Sequence, residues 1–116
     1  MIGIQECEDI RPRRSEGRRS RAWRALHHNV FAKQYTCLGS HKLGGLQLVI
    51  YVKKSCNKLI QGIQTIEVAC GVGNVLSNKG GICMLVRTKN QRTLAFVNAH
   101  LAAHVNQVDS WCMLCV

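Results

Sequence analysis

Residues 82–87 (ICMLVR) and 93–97 (TLAFV) are β-prone apolar runs separated by only five polar residues, 88–92. A connection that short joins two strands only as an antiparallel hairpin, because a parallel pair needs a crossover of a dozen residues or more. An antiparallel sheet is therefore the frame into which the rest of the chain must fit. Residues 46–52 (LQLVIYV) follow Gly44-Gly45 and are rich in β-branched and aromatic side chains, so they read as a further strand. Residues 34–38 and 64–70 are shorter strand candidates, with 53–58 a polar connection between them. Met1-Ile2-Gly3-Ile4-Gln5-Glu6 reads as the tail of a buried strand that runs into a polar end. One helix is expected over residues 20–32, where Trp23, Leu26, Val30 and Phe31 recur at three- and four-residue steps and Ser20 can cap the start. Hairpin-linked strands with one early helix imply an α+β layered fold, mainly antiparallel.

Length and composition narrow what this frame can do. A chain of 116 residues forms at most one small domain, and 47% hydrophobic residues exclude a disordered one. Sixteen Lys and Arg against six Asp and Glu give a net charge of +10, which points to anionic partners: nucleic acid, phospholipid headgroups or small polyphosphates. Arg11, Arg13, Arg14, Arg18, Arg19, Arg21 and Arg24 crowd one stretch, and residues 11–20, with the single proline Pro12, read as a flexible loop. The cluster lacks interleaved aromatics apart from Trp23, so no specific nucleic-acid readout is expected.

Seven cysteines at positions without framework spacing, and no apolar h-region near Met1, point to a reducing, cytoplasmic location. The longest apolar run is too short to span a bilayer, so any membrane contact is expected to be peripheral. Residues 110–116 are apolar and end without a cap, and the first strand starts abruptly; both ends read as cut.

Several residues could carry chemistry. His100 and His104 form H-x-x-x-H, but a zinc protease needs a glutamate after the first histidine, and Leu101 stands there. Cys112 and Cys115 have the spacing of half a zinc knuckle without its second half, and read as incidental cysteines in an apolar tail. Gly71, Gly73, Gly80 and Gly81 bracket Asn78 and Lys79. Glycines there let backbone N–H groups converge on an anion beside a lysine charge, although the order is not that of a Walker A loop and, taken alone, the segment reads first as an ordinary hairpin loop. Glu6, at the end of an apolar strand, either meets solvent or binds a partner such as a metal.

The order of these pieces is more informative than any one of them. Ile2-Gly3-Ile4-Gln5-Glu6, a Trp-containing helix, Gly44-Gly45-Leu46, Ser77-Asn78-Lys79-Gly80-Gly81 and Phe96-Val97-Asn98-Ala99-His100-Leu101-Ala102-Ala103-His104 together resemble the inositol polyphosphate 5-phosphatase catalytic domain. The resemblance covers residues 1–10 and 22–109. It implies part of a four-layer α/β sandwich with mainly antiparallel sheets, of the DNase I-like kind, with the active site at one edge of the sheets. By the same resemblance residues 1–109 are a partial catalytic domain with a basic loop over 11–21, and 110–116 a divergent tail. Glu6 would be catalytic and bind Mg²⁺; His100 would contact the scissile 5-phosphate. Lys79 and Asn78 would meet the substrate's phosphates, and Asn98 would join them or support His100. His104 would be scaffold.

The implied activity is hydrolysis of the 5-phosphate of a phosphoinositide or soluble inositol polyphosphate, by water attack assisted by the metal. The chemistry suits these residue types, since phosphomonoester hydrolysis needs a hard cation, positive charge on the equatorial oxygens and an aligned water. The family's upstream asparagine and its W-x-G-D-x-N, P-x-x-x-D-R and final Asp-His segments have no counterpart in this sequence. The polypeptide on its own is therefore expected to be inactive, and half a sandwich would leave apolar surface exposed. The alternatives are a non-catalytic basic module that binds anionic lipid or nucleic acid, and a nuclease of the same superfamily, which shares the strand-ending Glu and His. The loop at 77–81 and the double-alanine histidine segment favour the phosphoinositide branch.

Overall fold

A computed structural model describes residues 1–5, 18–70 and 79–101. Its elements in chain order are β1 (Ile2–Ile4), α1 (Arg18–Phe31), β2 (Tyr35–Leu43), β3 (Leu46–Lys53), a 3-10 turn (Lys54–Leu59), β4 (Ile60–Ala69), β5 (Gly80–Thr88) and β6 (Thr93–His100). The strands form two three-stranded sheets, ordered β1-β3-β2 and β4-β5-β6, with every neighbouring pair antiparallel.

The two sheets pack face to face through alternate residues of their central strands. Leu46, Leu48 and Ile50 of β3, with Leu43, meet Ile82, Met84 and Val86 of β5, and Phe96 of β6 packs against this cluster. The period of two along β3 and β5 puts all these side chains on inner faces. Fully burying each contributes about 1.5–3 kcal/mol. Between them, Gln47 and Val49 are also buried, on the outer face of β3. Farther along the strand α1 packs on Tyr51: the rings of His27 and Phe31 lie 6.3 and 5.1 Å from it. A strand covered on both faces reads as a continuous apolar run, as residues 46–52 do.

The arrangement is therefore α+β, and the described residues form three layers: helix, sheet, sheet. Three boundaries differ from those expected. The helix starts at Arg18, so Ser20 lies in its first turn and the expected loop at 11–21 is helical from Arg18; arginine is a good helix former. β2 continues past residue 38 to Leu43, where Leu43 pairs with Leu46 across a Gly44-Gly45 turn with Gly44 at φ 55°. Two-residue hairpins demand such positive φ. Ser40, His41 and Lys42 conceal this extension because β2 is an edge strand. β4 begins four residues early, at Ile60, and most of it is exposed, which explains its weak apolar signal.

Candidate active site

Six strand ends meet at one end of the sandwich: the C-terminal ends of β1, β2, β4 and β6 and the N-terminal ends of β3 and β5. Gly80 pairs with both Ala69 and His100, so the start of β5 is held between β4 and β6. The Cys70 N–H donates to the Lys79 carbonyl at 2.9 Å, and this closes the connection over residues 71–78 at its base. Gly80 is required there. Its φ is +155°, and a Cβ on it would stand 2.3 Å from the Val68 carbonyl oxygen and 2.9 Å from Leu43 Cδ2.

This pinned backbone sets the position of Lys79, whose Nζ donates to His100 Nε2 at 2.7 Å in a half-buried setting. An ammonium has no acceptor lone pair, so Nε2 must accept, and the proton of the neutral ring sits on Nδ1. Two nitrogens 2.7 Å apart match the spacing of adjacent oxygens on a phosphoryl group, which both could donate to once a proton occupies Nε2.

Asn98 faces inward from β6 and bridges the two sheets. Its Nδ2 donates to the carbonyls of Ile4 in β1 and Gln47 in β3, each at 3.0 Å. Both amide hydrogens are thereby used. The approach is close enough that a Cβ on Gly3 would meet Asn98 Cγ at 3.2 Å. Gln5 adds a second link, its Nε2 donating to the Ala99 carbonyl at 2.5 Å. The residue before Glu6 is thus bonded to the residue before His100. Gln47 Oε1 lies buried beside this seam with no hydrogen-bond partner among the described residues.

Of the expected site residues, Lys79, Asn98 and His100 are brought together. Glu6 and Asn78 lie outside the described residues, as do His104, Cys112 and Cys115. Among the described residues no three His, Cys, Asp or Glu side chains are grouped to hold a metal. Gln5 is the residue that sequence reasoning passed over: it stood inside the strand-ending motif, but nothing local indicates that its side chain reaches a carbonyl 94 residues away.

The model of Endonuclease/Exonuclease/phosphatase family 2 matches residues 1–111. The chain belongs to that family. Family members similar to it include type II inositol polyphosphate 5-phosphatase 14 of Arabidopsis thaliana, 38% identical over 61% of this chain and 6% of the relative. Inositol-1,4,5-trisphosphate 5-phosphatase 1 of Schizosaccharomyces pombe is 27% identical over 94% of this chain and 11% of its own length. Among solved structures, the inositol polyphosphate 5-phosphatase domain of a synaptojanin, in complex with inositol (1,4)-bisphosphate and calcium ion, superposes with a TM-score of 0.65 at 26% identity. That match covers 92% of this chain and 32% of the solved one. The chain therefore spans about a third of the solved family domain and about a tenth or less of these curated relatives. The shared fold agrees with the DNase I-like sandwich expected from the motifs.

Proposed function

We propose that this chain supplies part of the phosphate site of an inositol polyphosphate 5-phosphatase, acting on a phosphoinositide or a soluble inositol polyphosphate. The observation that carries the reading is the Lys79–His100 pair, whose nitrogens lie 2.7 Å apart at the sheet end where β1 finishes. When a phosphomonoester enters, the ammonium turns from His100 Nε2 to a phosphate oxygen. His100, whose Nε2 takes up a proton from solvent as the ammonium leaves it, donates to a second. Charge developing on the equatorial oxygens then meets two fixed cations in a partly desolvated setting. Asn98 does not itself contact phosphate in this reading, because both its amide hydrogens hold carbonyls; it keeps His100 aligned. Asn78, next to Lys79 in sequence, is proposed to meet the substrate's phosphates with it.

A divalent ion suits the donor set, with Mg²⁺ the proposed cofactor. Glu6 is the one carboxylate the chain places in sequence next to the Gln5–Ala99 bond, and a hard cation takes few carboxylates and keeps its waters. Glu6 would hold that ion, and when bound it would polarise the phosphoryl group. A cytoplasmic location, at the face of a membrane for lipid substrates, accompanies this reading. The four described cysteines, Cys37, Cys56, Cys70 and Cys83, are free thiols.

The test is calorimetric titration of the 116-residue chain with inositol 1,4,5-trisphosphate in magnesium. Lys79→Ala and His100→Ala are each expected to weaken binding about ten-fold or more, the loss of one charge-assisted hydrogen bond. Equal affinity in all three proteins would refute the site. The purified chain is expected to release no phosphate from PI(4,5)P₂, since it lacks the W-x-G-D-x-N segment that orients water. Measurable magnesium-dependent release would overturn that expectation.

A further inference from the structure

Strand β4 presents an edge that the fold leaves open. It stands last in the order β4-β5-β6, so among the described strands its backbone is paired on the β5 side alone. Native edge strands are usually kept short or blunted with lysine, proline or a bulge, because their free N–H and C=O groups recruit other strands. β4 runs ten residues, Ile60–Ala69, without lysine, arginine or proline, and its one charge, Glu67, is bonded to His41 of β2. Its bulge lies at the start, at Gln61, and from Gly62 to Ala69 the pairing with β5 is unbroken. Ile63 and Ile66 on this strand are 38% and 45% exposed.

The start of β4 is also hollowed and basic. Gln61, Gly62 and Gln64 line a hollow of about 350 Å³ with Leu85 and Arg87 of β5 and Thr93 of β6. The register puts Gly62 and Thr93 on either side of Arg87, so the guanidinium stands between a bare position and a small hydroxyl. Nothing in the fold demands glycine at 62. Its φ is not positive, as those of Gly44 and Gly80 are, and a Cβ on it would meet nothing within 4 Å. A strand glycine that conformation and crowding do not require marks a place where another backbone or a ligand comes close. A second hollow of about 370 Å³ follows past the start of β4, between Leu59 and the hairpin turn at Thr88, Lys89 and Asn90. The Lys89 N–H donates to the Leu59 carbonyl at 2.9 Å and holds that turn in place. Lys58, Arg87, Lys89 and Arg92 are all exposed at this end. The one acid among the described residues, Glu67, lies farther along β4, opposite Ile82.

We infer that the open edge of β4 takes up an extended acidic peptide of a protein partner as an added strand, with a carboxylate of that peptide on Arg87. Main-chain hydrogen bonds along the free edge supply affinity, and the alternation of side chains sets which of them reach the hollows. The planar guanidinium suits a carboxylate, which it can hold through two parallel bonds. Lys58, Lys89 and Arg92 carry the same charge on to acidic residues farther along the peptide. RNA suits the surface less, because no aromatic side chain lines either hollow for bases to stack on. The surface is also remote from the phosphate site, since Arg87 stands seven residues, about 23 Å, along β5 from Gly80. The inference does not rest on the 5-phosphatase reading.

The experiment titrates the full chain into a fluorescein-labelled peptide of alternating glutamate and threonine and reads fluorescence anisotropy. Binding is expected, and it should weaken as salt rises. The same peptide methylated on each backbone nitrogen keeps every carboxylate and loses its main-chain donors, and should bind about ten-fold or more weakly. Arg87→Gln should weaken binding of the unmethylated peptide about ten-fold or more, through loss of one charge-assisted pair. Gly62→Val should do the same by filling the space beside Arg87, and the open room for its Cβ lets the strand persist. Circular dichroism of both variants confirms that the fold is kept. Lys79→Ala should leave peptide binding unaltered while it weakens inositol phosphate binding, so each reading fails separately. Equal affinity for the methylated peptide, or unchanged binding in both Arg87→Gln and Gly62→Val, would overturn the inference. So would Arg87-dependent binding of RNA or phosphatidylserine vesicles by a chain that leaves the peptide free.

Discussion

Asn98→Ala tests the idea that one side chain joins the two sheets at the site. The substitution removes two hydrogen bonds, to the Ile4 and Gln47 carbonyls, each 3.0 Å long. A typical net contribution is about 1 kcal/mol per bond, and more where the abandoned acceptor stays dry. Asn98 is half-buried, so water regains part of the space and the lower figure applies: about 2 kcal/mol in all. For a chain of this size that corresponds to a fall in Tm of about 8 °C. Asn98→Asp keeps the shape but removes the donors and turns an anion toward two carbonyl oxygens, so it should cost about 3 kcal/mol or more at pH 7. The carbonyls and the partial burial push such a carboxyl above its ordinary pKa, and once protonated in acid it regains one donor, so the deficit should shrink. Urea unfolding followed by circular dichroism measures both variants. If Asn98→Ala lies within about 0.5 kcal/mol of the parent, the bridge carries no stability and the argument fails.

Gly80→Ala should destabilise by about 3 kcal/mol or more, because a Cβ at φ +155° would meet the Val68 carbonyl at 2.3 Å; thermal melts report it. Leu48→Ala, at a fully buried core position, should cost about 2–5 kcal/mol in chemical denaturation, whereas Leu94→Ala, at a half-exposed one, should cost little. Burial holds the His27 imidazole below its ordinary pKa of 6.5, so the folded state binds its proton later than the unfolded state does. Above pH 6.5 both states are neutral and the residue exerts no pH dependence. As pH falls below 6.5 stability should decline, by at most about 1.4 kcal/mol per unit, until the folded ring protonates. His27→Phe should flatten that part of the stability profile.

The elements legible in the sequence were those whose two faces differ or whose turns are short. The β5–β6 hairpin and the run at 46–52 were evident because polar residues bounded them, and the helix because its apolar residues keep a period near 3.6. The far half of β2 was concealed: Ser40, His41 and Lys42 are strand residues only because β3 pairs with them. Lys79, Asn98 and His100 could be named from the order of their motifs, yet their relation could not. That Lys79 bonds His100, while Asn98 is used up on two carbonyls, depends on registers set by sheets far apart in sequence. Gln5 was invisible as a contributor for the same reason, since its partner lies on β6.

The Asn98 and Gln5 bonds cross from one sheet to the other at the end of the sandwich where Lys79 and His100 meet. Closure of the sandwich and assembly of the anion site are consequently one event, and thermodynamic linkage must run both ways. An anion held by Lys79 and His100 requires β5 and β6 in register and β6 stitched to β1, so it binds the closed form alone. At a hundred times its dissociation constant such a ligand would raise stability by about 2.7 kcal/mol. Inositol phosphate would then act as a clasp for the fold, and a rise in melting temperature with its concentration would report docking of the sheets without any turnover.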